Sequence, residues 1–174
     1  MKTFLKIIGI VVSLFIAIGL FLPTQYQVTR SISINATPNE IHTYVGDLDK
    51  WPTWSPWEKS DPSIKITAGK IRRGVGASQS WVGDSGSGNL TFTQSSPQVG
   101  IRYDMMFNDT DPSKAEMIYT VATDGKTTTV SWNMDGELMT PVIGGYFAML
   151  MDKMVGPMFD DGLQRLKKAV ETNA

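Results

Sequence analysis

The chain has 174 residues and no cysteine, with 16 Lys and Arg against 17 Asp and Glu for a net charge of −1. No basic run breaks that balance, so nucleic acid is not expected as a partner. Without thiols the protein must hold its shape by burial alone, and the roughly 150 residues beyond its N-terminal segment are enough to do so as one domain.

The first element is apolar on every side. Ile7 to Leu22 carries no charge, and with Phe4 and Leu5 around Lys6 the stretch makes a helix of about 24–29 Å, enough for a bilayer's hydrocarbon core. Lys2 and Lys6 stand only on its N-terminal side, so the positive-inside rule puts the N-terminus in the cytoplasm and everything after Pro23 across the membrane. Residues 1–23 are therefore expected to be a single-pass transmembrane anchor, in contact with lipid through residues 4–22. Residues 24–174 would be one soluble domain on the extracytoplasmic (periplasmic) side. A cleaved signal peptide is the competing reading. Against it, Ala17-Ile18-Gly19 lies inside the apolar run and Leu22-Pro23-Thr24 is not a small-x-small site.

Gln25 to Asn35 alternates, with Tyr26, Val28, Ile32 and Ile34 on one face, as a half-buried strand does. Arg30 breaks that face and is expected near an edge or a cavity mouth. Thr37-Pro38-Asn39-Glu40 reads as a capped helix start, and Ile41, Tyr44, Val45 and Leu48 continue a short amphipathic helix. Two prolines between Trp51 and Trp57 rule out a regular helix there, leaving an ordered loop or broken turn that carries three indoles.

Six strand candidates follow Pro62. They are Ser63–Ala68; Val75–Val82 with Val75, Ala77, Gln79 and Trp81 on one face; Gly88–Gln94; Val99–Asn108; Glu116–Thr123 with Met117, Tyr119 and Val121 inward; and Thr127–Asp135. Turn residues separate them, and Asp124-Gly125 is the sharpest hairpin signal. Short connections make the set an antiparallel meander. The period then changes to three and four through Ile143, Phe147, Leu150, Met151, Met154, Val155, Met158 and Phe159, giving a long helix from Gly145 to Thr172 that Gly156-Pro157 should kink or split. The order specifies an α+β fold: a curved antiparallel sheet of about 6–7 strands wrapped on a long C-terminal helix.

Ile34-Asn35-Ala36-Thr37-Pro38-Asn39-Glu40-Ile41, then Asp47-Leu48-Asp49-Lys50-Trp51-Pro52-Thr53-Trp54-Ser55-Pro56-Trp57, and the ending Gly162-Leu163-Gln164-Arg165-Leu166-Lys167-Lys168-Ala169-Val170-Glu171 resemble the polyketide cyclase/dehydrase-like branch of the START-like (SRPBCC) superfamily over about residues 25–172. The resemblance implies a helix-grip fold with a deep apolar cavity between sheet and long helix. It also implies ligands such as lipids, sterols or polyketides. It brings no universal catalytic set, and the N-terminal anchor is a departure from its many cytosolic members.

No cofactor is implied. With one histidine and no cysteine, a zinc site would need carboxylate or water ligands for most of its shell, and His42 is expected on the surface. Asp47/Asp49, Asp109/Asp111 and Asp160/Asp161 read as solvated turn or cap residues. The cavity candidates are the inward positions of the strands and helix: Arg30, Gln79, Trp81, Phe92, Tyr103, Met105, Met117, Tyr119, Trp132, Met134, Phe147, Met151, Met154 and Met158. Trp54 and Trp57 join them as residues that plug the core, shape the cavity mouth or dip into the membrane interface. Ten methionines are many for this length, and methionine lines irregular apolar space as readily as it fills a core. Arg30, Gln79, Gln94 and Tyr103 put polar atoms on apolar faces, where each needs a partner. The expected function is binding of an apolar small molecule or lipid. Catalysis on such a ligand, through Asp, Tyr or Arg, and a scaffold role in the cell envelope are the alternatives.

Overall fold

The computed structural model describes residues 1–123 and 125–172. In chain order the elements are α1 (Lys2–Phe21), β1 (Gln25–Ile34), α2 (Pro38–Val45), α3 (Trp51–Trp54), α4 (Trp57–Ser60), β2 (Lys65–Ala68), β3 (Ser78–Gly83), β4 (Gly86–Ser96), β5 (Gly100–Phe107), β6 (Asp111–Val121), β7 (Thr128–Glu137) and α5 (Gly144–Thr172). The seven strands form one antiparallel sheet in the order β1-β7-β6-β5-β4-β3-β2. This is the helix-grip arrangement, in which the first strand closes against the last and the long helix runs along the β1 side.

Local chemistry sets these elements. β1 alternates as its sequence does, with Tyr26, Val28 and Ile34 buried. α2 starts on a complete capping box: Glu40 N–H donates to the Thr37 side chain while the Glu40 carboxylate accepts from the Thr37 backbone. β3 is shorter than the alternation from Val75 suggests. Gly74 and Gly76 both adopt positive φ, so that segment is a loop, and Val75 points into solvent. Val121, also expected inward, is exposed at the end of β6. A register shift between Phe92 and Gln94 bends β4 where it pairs with β5. Asp124 lies outside the described residues; the strands flanking its turn pair from Val121 with Thr128, and Gly125 has positive φ.

The tryptophan segment is a series of broken helical turns, a 3-10 turn at Leu48–Lys50 followed by α3 and α4. Its indoles finish α2. The Trp51 ring N–H donates to the Val45 carbonyl at 3.0 Å and that of Trp54 to the Tyr44 carbonyl at 3.3 Å, so they satisfy acceptors that a helix C-terminus leaves open.

α5 runs unbroken through Pro157 rather than splitting there. Its packing nevertheless changes along its length. Phe159, Leu163, Leu166 and Val170 are buried, whereas Phe147, Leu150 and Met154, expected on the same inward stripe, are exposed. Phe159 stacks on Trp132 of β7 with ring centroids 4.0 Å apart and planes 6° from parallel, and Trp54 and Trp57 meet Trp132 edge-on. Removing that ring leaves a void among rigid aromatics, so Phe159→Ala is expected to lose about 3–5 kcal/mol. Met154→Ala, five residues away, should stay within about 0.5 kcal/mol. Denaturant unfolding of the full chain in mild detergent checks both values.

Candidate functional site

The candidate cavity residues divide into two groups. One forms a filled aromatic centre. Trp51, Trp54, Phe92, Tyr103 and Trp132 are at most 2% exposed, and the ring of Trp51 touches those of Trp54, Phe92 and Tyr103. The Trp132 ring N–H donates to the Tyr103 hydroxyl at 2.9 Å, and burial pushes the Tyr103 phenol well above its ordinary range. The polar atom that sequence singles out at Tyr103 thus has an internal partner. Met117 is fully buried in this centre. Trp81 stands apart, half-buried against Phe107 on β5. Gln79 is buried opposite Leu90 of β4.

The other group sits where β1 begins and β7 ends. Tyr26, Met105 and Met134 are buried there, with Met151 and Val155 of α5 half-buried against the same core. Met158 is half-buried as well. The Tyr26 hydroxyl and Ser113 Oγ share a buried hydrogen bond of 2.7 Å, and burial raises the Tyr26 phenol above its ordinary value. An open depression of about 770 Å³ lies at this end of the sheet; Tyr26, Met105, Ser113 and Gly136 line it together with outward-facing Gln27, Met106, Lys114, Asp135 and Glu137, and neither Met134 nor α5 takes part. A second depression, about 610 Å³, lies along α1. Neither is lined by a residue of α5, so neither is the cavity between sheet and long helix that the family resemblance implies.

Arg30 is on edge strand β1, as its sequence position suggests. Its guanidinium reaches across α5, donating to the Asp152 carboxylate at 2.7 Å and to that of Asp160 at 3.2 Å. Those residues flank Gly156 one turn to each side, and a methyl group at position 156 would overlap the Arg30 Nη2. Gly156 is therefore the passage through which Arg30 grips the helix, and the Arg30 hydrogen bond holds the Asp152 carboxyl below its usual range. Asp161 turns the other way, to Lys59. Asp47, expected to be solvated, is buried, accepting from Asp49 N–H and pairing with Arg73.

His42 is not a free surface residue. Its ring lies half-buried under α2, with Nε2 3.0 Å from Ser95 Oγ and Nδ1 3.3 Å from the Tyr119 hydroxyl. No local pattern marks this burial, because the partners come from β4 and β6. Burial lowers the pKa of His42 and raises that of Tyr119. Among the described residues no group of three or more His, Cys, Asp or Glu is placed to hold a metal ion.

α1 packs beside the start of α5. Thr3–Phe21 is long and apolar enough to cross a membrane, with a mean hydropathy of 2.6, and only 6% of that stretch is buried in the protein. Its C-terminal turns lie against the start of α5. The rings of Phe15 and Tyr146 stack with centroids 4.4 Å apart, the Tyr146 hydroxyl donates to the Phe15 carbonyl at 2.8 Å, and Gly19 is so close to Val142 that a side chain there would strike its carbonyl.

A sheet closed on its first strand and gripped by a C-terminal helix defines the helix-grip class. Within that class, the family model for polyketide cyclase/dehydrase and lipid transport proteins matches residues 25–171, and the chain belongs to that family. Solved structures share the fold at low identity. Protein CV1439 from Chromobacterium violaceum is 13% identical, covering 84% of this chain and 98% of its own with a TM-score of 0.62. TTHA0849 from Thermus thermophilus is 19% identical, covering 85% and 99% with a TM-score of 0.59. XoxI from Bacillus cereus is 17% identical, covering 83% and 95% with a TM-score of 0.57. No curated protein matches significantly. Such likenesses fix the fold and leave function to the site.

The histidine gives a pH test. His42 is the only histidine in the chain, and its pKa is lower folded than unfolded. The unfolded chain therefore binds the extra proton first, and stability falls as pH drops below about 6.5, levelling off once the folded ring protonates as well. The Tm should decline between about pH 7 and pH 5, and His42→Gln should flatten that slope.

Proposed function

We propose that the protein is a membrane-tethered, extracytoplasmic START-like domain that binds an apolar small molecule or lipid at the membrane-proximal end of its sheet. The observation that carries this reading is the position of the 770 Å³ depression. Its lining begins at Gln25, four residues after the end of α1 at Phe21, a span of at most about 14 Å of extended chain. The opening thus lies within a short reach of the bilayer surface if α1 spans it.

The character of the lining supports the same reading. The aromatic centre is occupied by its own side chains, so a guest is accommodated at the methionine end. There Met105 and Met106 supply soft, adaptable apolar surface. The Tyr26–Ser113 pair and the charged groups at the rim offer polar partners to a headgroup. The description of the family, which includes lipid transport, agrees with an apolar cargo. The anchor holds the domain on the far side of the membrane from its N-terminus, as the placement of Lys2 and Lys6 directs.

Full-length protein purified from membranes in mild detergent, extracted with organic solvent and analysed by mass spectrometry, is expected to release an apolar species in near-stoichiometric amount. Met106→Trp, which fills the depression from its half-buried rim, should reduce that yield without lowering the Tm. Recovery of no apolar species, together with failure to bind a fluorescent fatty acid, would contradict the proposal.

A further inference from the structure

α5 carries an apolar stripe that the domain does not cover. Ile143, Phe147, Leu150 and Met154 recur every three or four residues and are 41%, 47%, 46% and 53% exposed. The opposite side of the same turns is buried at Gly145 and Ala148. From Leu138 to Met151 no residue is charged; Asp152, which pairs with Arg30 on the other side of the helix, and exposed Lys153 follow. A stripe about 16 Å long is more than the scattered exposure normal on soluble surfaces, and marks a contact with something apolar.

The neighbour of this segment identifies what covers it. Val142, Gly145 and Tyr146 pack on Phe15, Gly19 and Leu22, the last turns of the apolar helix and the residue after it. Whatever apolar medium surrounds those turns of α1 therefore continues over the start of α5. The segment has the composition of an interfacial helix: an apolar face, a tyrosine, and a lysine whose stem can extend to the headgroups.

We propose that the first half of α5 is seated in the outer interface of the bilayer, with Ile143, Phe147, Leu150 and Met154 among the acyl chains and Lys153 at headgroup level. α1 and α5 then make a two-point seat that fixes the open end of the domain toward lipid, and a cargo passes between bilayer and protein without crossing water. The inference rests on the reading of α1 as a membrane span.

Because the chain has no cysteine, single nitroxide labels can be placed without background. Full-length protein in nanodiscs of phosphatidylcholine and phosphatidylglycerol would carry Phe147→Cys, Leu150→Cys, Ile10→Cys within α1, or Thr120→Cys on exposed β6. Labels at 147 and 150 are expected to behave like the label at 10, with high collision rates for oxygen and loss of the broadening by a water-soluble nickel chelate that position 120 retains. Chelate access at 147 and 150 equal to that at 120, with position 10 still in lipid, would overturn the seat and leave the span standing. Chelate access at position 10 as well would overturn both readings. Shielding of 147 and 150 from both reagents, with spin–spin broadening, would identify a second copy of the chain as the occupant and overturn the lipid assignment.

Discussion

The stack of Phe159 on Trp132 divides the long helix into two parts with different surroundings. Beyond it, α5 is held by Leu163, Leu166 and Val170 in the core. Before it, the grip passes to Arg30, whose guanidinium crosses the helix at Gly156 between Asp152 and Asp160. N-terminal to that clamp the helix presents apolar residues on two faces, one toward methionines on the sheet and one away from the protein. Aromatic rings have large, rigid contact surfaces and resist rearrangement, so the centre around Trp132 closes one end of the fold and leaves the other as its adaptable part.

That asymmetry gives the tryptophan segment its place in the structure. Trp51 and Trp54 end α2 by hydrogen bonding to its last carbonyls while their rings fill the space a ligand would otherwise occupy. The depression lies at the far end instead, where β1 leaves α1 and the chain returns from β7 into α5. The apolar helix α1, the depression and the exposed stripe of α5 gather at one pole of the domain. Under the proposed function that geometry is favourable, because exposing apolar surface to water costs about 25 cal/mol per Å².

Much of the architecture was legible because strand periodicity is local. Tyr26, Val28 and Ile34 alternate with polar residues whatever lies above them, and the capping box at Thr37 is complete within four residues. The long helix was legible as an element but not in its orientation. Phe147 and Met154 have the same chemistry as Met151 and Val155, and apolar spacing does not tell a side chain buried in protein from one left outside it. The burial of His42 has no local signal for a related reason: it comes from Ser95 and Tyr119, distant in the chain. The Arg30 clamp had a readable trace, since Asp152, Gly156 and Asp160 are spaced four apart on one helix face, although the arginine that joins them is more than a hundred residues away.

The central claim is that the methionine end, rather than the aromatic centre, meets the apolar guest. Full-length protein in nanodiscs containing a phospholipid with a diazirine on its acyl chain, irradiated and mapped by peptide mass spectrometry, tests it most directly. Adducts on peptides containing Tyr26, Met105 and residues 143–158 are the predicted result. Labelling confined to α1, with none on the sheet or on α5, would contradict it.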